Sequence, residues 1–414
     1  MHLIADLHIH SKYSRATSKD MVLEKMAEMA KIKGINVLAT GDFTHPIWLN
    51  DLKNKLISAE SGLYKLKEND NGVRFIVSGE ISSIYTRGGK TRRVHNLIIL
   101  SSLEAAEKIN EQLIQKGCNL HSDGRPIIGL DSQKLLNIVM ESDPSALFVP
   151  AHIWTPWFSV FGSKSGFDSL EEVFGEDVKY IHALETGLSS DPLMNWRLSA
   201  LDKYALISNS DAHSPNNFGR EANVFDIELS YENLINAIKS KDPSKFLYTI
   251  EFYPEEGMYH FDGHRACQVR FSPEETKEYK KICPVCGKLL TIGVLSRVGD
   301  LADRPLGSQP KETIPFKRLV PLKEIIAEVL GVKGKTKKVE ALYNDLINNF
   351  ENEFNILLNV DIKNISSFSG EKLAEALKRV REGQLVINPG YDGEYGEVKI
   401  FNQNETDSDT FSVN

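Results

Sequence analysis

Residue types that bind metal ions recur in the first half of the sequence, each at or just after a short run typical of a β-strand. They are His8, His10, Asp42, His45, Glu80, His95, His152, Asp211 and His213. A polynuclear metal hydrolase holds cations about 3.5–4 Å apart through imidazoles and carboxylates, and one carboxylate is shared between neighbouring ions. Any one of these histidines alone is more simply an ordinary core or surface residue. The complete set, arriving on successive strands, predicts a metal-dependent hydrolase.

A second cluster of candidate ligands lies further along the chain and has the composition of a zinc site. Its members are His264, Cys267, Cys283 and Cys286, with His260 or Asp262 as alternatives to His264. The last two cysteines form a Cys-Pro-Val-Cys-Gly knuckle, in which a tight turn holds two thiolates together. A closed four-ligand site leaves no position for a substrate, so we expect one structural zinc ion.

The segments that position the first ligand set alternate between strand and helix patterns. Apolar strand runs cover residues 3–5, 37–39, 75–77, 97–100, 147–149, 181–184 and 205–207. Helical patterns separate several of them, and the first of these is predicted to begin at an N-cap, Ser18, and to stop at Gly34. These units predict an α/β fold with a parallel barrel or a wound sheet, and the ligands at the carboxyl ends of its strands.

The composition is ordinary for a globular protein. The chain has 414 residues, with 41% hydrophobic and 26% charged residues, a length that suits two or three domains. The sequence contains no apolar run long enough to span a bilayer, and its four cysteines do not form a disulfide framework. Its first residues run directly into a strand pattern without a signal peptide, so we expect a cytoplasmic enzyme.

The net charge of −8 conceals a basic region in the second half of the sequence. Residues 261–340 carry 16 Lys and Arg against 10 Asp and Glu, and local basic stretches of this kind indicate contact with nucleic acid. The most basic stretch holds Lys333, Lys335, Lys337 and Lys338, which suit phosphate contacts or, equally, a solubilising linker. From about residue 401 the chain is polar and acidic, which predicts a disordered tail.

The motifs of the first ligand set are similar to those of the PHP (polymerase and histidinol phosphatase) superfamily. The resemblance implies a distorted seven-stranded β/α barrel with a trinuclear metal centre. It assigns His8, His10, Glu80 and Asp211 to one metal, Glu80, His95 and His152 to a second, and His213 to a third. Where the superfamily reads Thr-Asp-His, this chain reads Thr-Gly-Asp and continues to a later histidine. We therefore expect Asp42 as the other third-site ligand, with His45 left open.

The order of the parts resembles the endonuclease Q family over about residues 1–400. The match combines the barrel motifs, residues 10–19, the zinc segment 262–286, and residues 302–305 and 389–393. It implies a DNA-repair endonuclease that uses two or three divalent cations (Zn, Mn or Mg), with His8, His10, Glu80 and Asp211 as catalytic residues. Cleavage is expected on the 5′ side of deaminated bases (uracil, hypoxanthine, xanthine) or abasic sites.

The same resemblance divides the chain into parts. It implies a metallohydrolase barrel over residues 1–235, a zinc-binding module over 236–310, a small, mainly helical DNA-binding region over 311–400, and the tail over 401–414.

Candidate DNA contacts near the barrel mouth are Lys12, Arg15 and Lys19 as phosphate clamps, with Trp154 and Trp157 as rings that stack on or wedge beside a flipped base. The alternative for each is an ordinary surface charge or a packing residue.

Two other functions stay open at this point. A small-molecule phosphatase of the histidinol-phosphatase type would use the barrel but would not need the basic, zinc-bearing region. A catalytically inactive scaffold that binds nucleic acid would not need the full ligand set. Replication or repair proteins are further candidate partners, which the sequence does not identify.

Overall fold

The computed structural model describes residues 2–334 and 336–402. Lys335, one of the predicted DNA contacts, and residues 403–414 of the predicted disordered tail lie outside the described residues. The first residue of that predicted tail, Phe401, is buried, and its N–H donates to Glu328 at 2.9 Å. The folded chain therefore includes residue 401, and the tail prediction is wrong at that position.

Strands and helices alternate in the first part of the chain, and helices predominate in the last part. The strands are β1 (Leu3–Asp6), β2 (Val37–Ala39), β3 (Leu56–Ser58), β4 (Tyr64–Leu66), β5 (Arg74–Arg87), β6 (Lys90–Leu100), β7 (Ile127–Ile128), β8 (Leu147–Pro150), β9 (Ala183–Glu185), β10 (Ala205–Ile207), β11 (Ala222–Phe225), β12 (Phe246–Glu251), β13 (Asp262–His264), β14 (Val269–Phe271), β15 (Phe316–Arg318), β16 (Val386–Asn388) and β17 (Glu397–Lys399). The helices are α1 (Leu23–Lys33), α2 (Pro46–Lys55), α3 (Leu103–Gln115), α4 (Ser132–Ser142), α5 (Leu170–Phe174), α6 (Pro192–Asn195), α7 (Tyr231–Ser240), α8 (Pro273–Glu278), α9 (Val294–Leu301), α10 (Leu322–Val329), α11 (Lys337–Phe350), α12 (Glu353–Leu358), α13 (Ile362–Ser369) and α14 (Glu371–Glu382). Within residues 2–334 and 336–402, none of these helices is both long enough and apolar enough to cross a membrane.

A mixed sheet of eleven strands from the described chain forms the centre of the fold. One path runs β15-β12-β11-β1-β2-β5-β4-β3, and β6, β7 and β8 join it through β5 and β6. β2 is parallel to both β1 and β5, as the alternation of strands and helices predicts. β6 is antiparallel to β5 because the two strands form one long hairpin around Gly88 and Gly89, whose φ angles of 61° and 71° favour glycine. β6 is also antiparallel to β8. The α/β class is confirmed, and the expected parallel arrangement is corrected to a mixed sheet.

Each of the seven strand runs predicted from the sequence overlaps a strand: β1, β2, β5, β6, β8, β9 or β10. β9 and β10 form their own parallel pair. Beyond the end of β8, the Ile153 N–H donates to the Glu185 carbonyl at 3.1 Å, and a bridge between Ile9 and Ala212 joins the segments that follow β1 and β10. The ends of these strands therefore meet in space, which positions the residues that follow them.

The loop before α1 differs from its prediction. The predicted N-cap, Ser18, lies outside the helix, which begins at Leu23 after an N-cap residue without a side-chain hydrogen bond. The Ser18 N–H instead donates to the carbonyl of His213 at 2.8 Å, so this loop is fastened to the last ligand motif. Gly34, with a φ of 88°, ends the helix as expected.

The central sheet extends beyond the predicted barrel boundary and includes a strand of the predicted C-terminal region. The predicted boundary between residues 235 and 236 falls inside α7, and β12 pairs with β11, so the sheet continues at least to Glu251. β15, from the predicted C-terminal region, pairs with β12. Beyond it, α10 to α14 bury apolar faces that include Leu322, Ile325, Leu346, Leu373 and Leu377.

A buried ion pair joins the first helix to the C-terminal helices. Lys33 Nζ lies 2.7 Å from Glu353 Oε2, and the two side chains are 7% and 5% exposed. Glu353 also accepts hydrogen bonds from the Tyr343 hydroxyl at 2.6 Å and the Leu322 N–H at 3.1 Å. The carboxylate is therefore satisfied only while α1, α10 and α11 stay packed around it.

Replacing Lys33 with methionine should lower the free energy of unfolding by about 3–5 kcal/mol, because Glu353 would keep a buried charge without its counter-ion. Urea unfolding followed by circular dichroism measures the change. Lys55→Met is the matched control, since the Lys55–Glu24 pair is 45% and 53% exposed. That pair should contribute less than about 1 kcal/mol. Equal effects of the two substitutions would contradict the prediction.

Candidate active site

Six of the metal-binding residues predicted from the sequence come together in two groups. Ligand atoms of His8, His10 and Asp211 form one group, and those of Glu80, His95 and His152 form a second. Within each group the atoms lie within 4.8 Å of one another. Glu80 and His95 lie within β5 and β6, whereas the other four residues lie in the segments that follow β1, β8 and β10.

The first group is centred on Asp211. Its Oδ1 lies 3.0 Å from His10 Nε2 and 3.7 Å from His8 Nε2. Both histidines are fully buried, and His8 Nε2 has no hydrogen-bond partner within the described part of the chain. Asp211 has a φ of 47°, a left-handed conformation that is uncommon for aspartate and recurs at functional sites.

Glu80 connects the second group to the first. Its Oε1 lies 2.7 Å from His95 Nδ1 and 3.0 Å from His152 Nε2. Its Oε2 lies 3.6 Å from His10 Nε2 and 3.9 Å from His8 Nε2. One buried carboxylate therefore faces both groups, as a bridging ligand of a two-metal site must.

The donor set fits divalent cations. Imidazole nitrogens and carboxylate oxygens are ligands of zinc and manganese. Burial alone would lower the pKa of His8, but the carboxylates of Glu185 and Asp211 raise it to about 9. Burial opposes protonation of His10 in the same way, and Asp42 and Asp211 raise its pKa to about 10. The raised pKa values show that the carboxylates favour positive charge at these positions. Bound cations would supply that charge in place of protons on the histidines, and one of them would give His8 Nε2 a partner.

Carboxylates behind the two histidines determine which ring nitrogen faces the centre. Glu185 Oε1 lies 2.9 Å from His8 Nδ1, and its Oε2 accepts the His152 N–H at 2.9 Å. Asp42 Oδ1 lies 3.0 Å from His10 Nδ1, while its Oδ2 accepts the N–H and hydroxyl of Ser11 at 2.7 and 2.6 Å. Such partners hold each ring with Nε2 toward the ligand group.

The residues expected at a third site, Asp42, His45 and His213, do not form a group of three candidate ligands among residues 2–334 and 336–402. Asp42 uses both carboxylate oxygens to support His10 and its loop. The His45 ring stacks on Tyr13 with centroids 4.3 Å apart, and the His213 ring lies 4.4 Å from that of His10. The structure thus places Asp42 behind a ligand, and a third site built on Asp42 or His45 with His213 stays a prediction.

Two residues at the site were missed from the sequence. Glu185 is the last residue of β9, and its carboxylate contacts His8 Nδ1. A carboxylate at the end of a predicted strand was a signal from which the sequence could have identified it. Arg125 Nη1 donates to Glu80 Oε2 at 3.1 Å, and its side chain is 28% exposed. It lies in a Gly-Arg-Pro loop outside any strand pattern, so nothing in the sequence marked it. Its guanidinium is a cation at the open side of the centre, where a phosphate oxygen could bind.

The predicted zinc ligands also form one group. The ligand atoms of His264, Cys267, Cys283 and Cys286 all lie within 4.8 Å of one another. Burial raises the pKa of the Cys283 thiol, but backbone amides of the knuckle outweigh it and lower the value to about 7. The alternative ligand Asp262 instead accepts hydrogen bonds from the Gly293 N–H at 2.6 Å and the Ser296 hydroxyl at 2.5 Å. The geometry therefore favours His264 as the fourth donor.

The predicted DNA contacts divide into exposed and buried residues. Lys12, Arg15, Lys19, Lys333, Lys337 and Lys338 are exposed. Trp154 is fully buried, and its indole N–H donates to Asn195 Oδ1 at 2.8 Å. It therefore packs beneath the loop and cannot stack on a base, so its assignment as a DNA contact is wrong. Trp157 is 36% exposed and remains available.

A cavity of about 360 Å³ lies between the loop after His152 and the residues that flank the zinc segment. Trp157, Phe158, Met258 and Tyr259 contribute to its lining. The Phe158 ring centroid lies 4.8 Å from that of His95, and the Trp157 ring meets that of Tyr259 edge-on at 5.4 Å. An aromatic cavity therefore adjoins the second ligand group.

Two solved structures resemble this fold over its whole length. The lesion-specific endonuclease PfuEndoQ from Pyrococcus furiosus shares 33% sequence identity, covers 100% of both chains and superposes with a TM-score of 0.86. A second structure, endonuclease Q in complex with a 27-mer duplex substrate carrying an abasic lesion, shares 34% identity over 97% of this chain and 98% of that one, with a TM-score of 0.84. This chain belongs to the endonuclease Q family. The resemblance found in the sequence is confirmed.

Other relatives of this endonuclease Q family member match it in part or throughout. MJ0043 of Methanocaldococcus jannaschii is 34% identical over 275 residues, or 64% of this chain, and the match spans only 34% of that longer relative. YqxK of Bacillus subtilis is 29% identical over 96% of this chain and 99% of its own length. The family model described as MJ0043 C-terminal domain matches residues 321–384, a range that contains the helices α10 to α14.

Proposed function

We propose that this protein is a metal-dependent DNA-repair endonuclease that hydrolyses the phosphodiester bond on the 5′ side of a deaminated base or an abasic site. The observation that carries the proposal is Glu80, one buried carboxylate facing two ligand groups, in a chain of the endonuclease Q family. The crystallised relative bound to an abasic duplex supports DNA as the substrate.

The residues of the centre have separable tasks in this reaction. His8, His10, Asp211, Glu80, His95 and His152 would hold two divalent cations. When bound, such cations lower the pKa of a coordinated water and stabilise charge on the phosphate and on the departing 3′ oxygen. Glu185 and Asp42 keep the Nε2 atoms of His8 and His10 directed at the centre. Arg125, whose partly exposed side chain lies beside Glu80, would bind a nonbridging phosphate oxygen of the scissile group.

Lesion recognition is assigned to the aromatic cavity. A flipped base needs an apolar pocket and a ring to stack on, close to the phosphate that is cut. Trp157, Phe158 and Tyr259 provide such surfaces beside His95 and His152. Unpairing costs a few kcal/mol and is smallest where pairing is already weakened, so abasic and mispaired uracil or hypoxanthine positions would be selected.

Finer features of the fold belong to the same proposal. The strands β1, β2, β5, β6, β8, β9 and β10 would form the distorted seven-stranded barrel of the PHP superfamily, since the segments after β1 and β10 are bridged through Ile9 and Ala212. One structural zinc ion would occupy the group of three cysteines and His264. The helical region would contact DNA through exposed lysines such as Lys333, Lys337 and Lys338.

The test uses end-labelled duplexes with one uracil, hypoxanthine or abasic position, in Mg²⁺ or Mn²⁺. The nick should fall at one phosphate, 5′ of the lesion on its own strand, and should leave a 3′-hydroxyl and a 5′-phosphate. An identical undamaged duplex should stay whole, and raised salt should slow the reaction steeply because Lys and Arg contacts displace counter-ions. A sequencing gel locates the cut to one nucleotide.

Three results would contradict the proposal. Nicks at random positions would indicate a general nuclease, and a cut on the 3′ side would refute the assigned orientation. Release of inorganic phosphate from DNA ends without an internal cut would favour the phosphatase alternative.

A further inference from the structure

The zinc knuckle forms a small hairpin with an exposed apolar face. We call residues 281–290 the zinc hairpin: the Cys283 N–H donates to the Lys288 carbonyl at 2.8 Å, and the Leu290 N–H donates to the Lys281 carbonyl at 2.9 Å. Cys283 and Leu290 are buried against Val269. The neighbouring positions, Ile282 and Leu289, lie on the opposite face of the hairpin, which is exposed to solvent.

That second face is apolar. Ile282 and Leu289 are cross-strand partners and are 42% and 77% exposed, and Val285 at the tip is 69% exposed. Leu290, one position along, is only 6% exposed. Folding gains little from these three side chains, because they bury little area in the chain itself. Neighbouring large apolar side chains that stay exposed mark an interaction surface.

Lysines flank the same hairpin. Residues 279–290 contain three lysines and no Asp or Glu, and Lys280, Lys281 and Lys288 are all exposed. Lys280 and Lys281 have φ angles of 52° and 62°, a left-handed conformation unusual for two successive lysines. One acidic neighbour, Asp300, lies 4.0 Å from Lys281 Nζ in an exposed pair, and Glu274, Glu275 and Glu278 lie on the preceding α8.

The chemistry of this surface selects its partner. Lysine is depleted in protein–protein interfaces, whereas apolar wedges flanked by cations occur where proteins press between base steps of a duplex. Arg297 of α9, which follows the hairpin in the chain, donates to the carbonyls of Phe161 and Phe167 at 3.0 and 2.9 Å, which fastens α9 to the loop after His152.

We infer that the zinc hairpin is a duplex-contacting wedge: Ile282, Val285 and Leu289 press against base pairs next to the lesion, and Lys280, Lys281 and Lys288 bind phosphates. The inference rests on the proposed function for its substrate, and adds a second contact with DNA, outside the cavity that would take the flipped base. The zinc ligands would then serve to stiffen the wedge, because a flexible tip could not hold a base step open.

The experiment compares three full-length, zinc-loaded variants with the wild type: Val285→Ser with Leu289→Ser, Lys280→Ala with Lys281→Ala and Lys288→Ala, and Ile114→Ser. The last is the matched control, since Ile114 on α3 is an apolar residue with 55% exposure. Zinc content and thermal unfolding confirm that each variant is folded. Affinity for a fluorescent duplex with one abasic position is measured by anisotropy over a range of salt concentrations, before Mg²⁺ or Mn²⁺ is added.

The apolar variant should bind the duplex about tenfold more weakly, the change expected for losing roughly one well-buried apolar contact. Its slope of log affinity against log salt should match the wild type. The lysine variant should flatten that slope by about 2–3, close to 0.9 for each lost phosphate contact. Ile114→Ser should bind as the wild type does.

Wild-type affinity of the apolar variant for the duplex would overturn the inference, and so would a loss confined to association with another protein. The proposed function is tested separately by lesion cleavage. If the wild type cuts a lesion duplex while the apolar variant binds and cuts equally well, only the wedge fails. If the wild type cuts no lesion duplex but the variants weaken duplex binding as described, the proposed function fails and the wedge stands.

Discussion

Glu80→Gln should reduce lesion-dependent cleavage by about a thousandfold or more, since several kcal/mol of transition-state stabilisation depend on the cations it would share. The substitution keeps the volume of the side chain and removes the charge that faces both ligand groups. Oε1 is near His95 and His152, and Oε2 is near His10, so one change affects both groups. Single-turnover cleavage of a uracil duplex, with metal content by mass spectrometry, measures the two consequences together.

The matched control is Glu185→Gln. Glu185 is equally buried but contacts His8 from behind, so the variant should lose about 10–100-fold, the usual effect of a residue that orients a metal ligand. Glu111→Gln on the exposed side of α3 should have wild-type activity. Metal content and turnover of Glu80→Gln equal to the wild type would refute the bridging assignment.

The sequence predicted the ligand groups because each ligand lies within or shortly after a recognisable strand run. Glu80 and His95 lie within the paired strands β5 and β6, and the other ligands lie in the segments that follow β1, β8 and β10, where the fold brings those segments together. The knuckle cysteines were predictable for a similar reason, since a tight turn fixes two donors locally. In both cases local patterns determine the geometry.

Features that depend on tertiary contacts were not predictable. Asp42 has the residue type of a ligand, but the hydroxyl and N–H of Ser11 and the His10 ring occupy its oxygens. Trp154 and Trp157 differ by three positions in one loop, and only the packing against Asn195 shows which is buried. Arg125 reaches Glu80 from a loop without any periodic pattern. Sequence spacing gives residue types and strand ends, whereas the role of each polar atom depends on what the fold places opposite it.

Cys283→Ser should release about one zinc ion per chain and unfold the zinc segment, because structural zinc supplies much of the local folding free energy. The apolar core there is small: Val269, Cys283 and Leu290 are its buried members. Few apolar contacts would remain to hold β13, β14 and the hairpin together without the ion. Zinc content and limited proteolysis over residues 260–300 measure the loss, and Cys118→Ser, outside the ligand group, should retain the ion.

The same variant should separate DNA cleavage from the chemistry of the centre. Met258 and Tyr259, which line the aromatic cavity, precede the zinc segment, and Arg297, which follows it, is joined to the loop after His152. Cleavage at a lesion should therefore fall steeply when the segment unfolds. None of the six residues of the two metal-binding groups comes from that segment. Hydrolysis of a small activated phosphodiester should therefore largely survive in Cys283→Ser. Full zinc retention would refute the ligand assignment, and parallel loss of both activities would show that the zinc segment supports the metal-binding groups themselves.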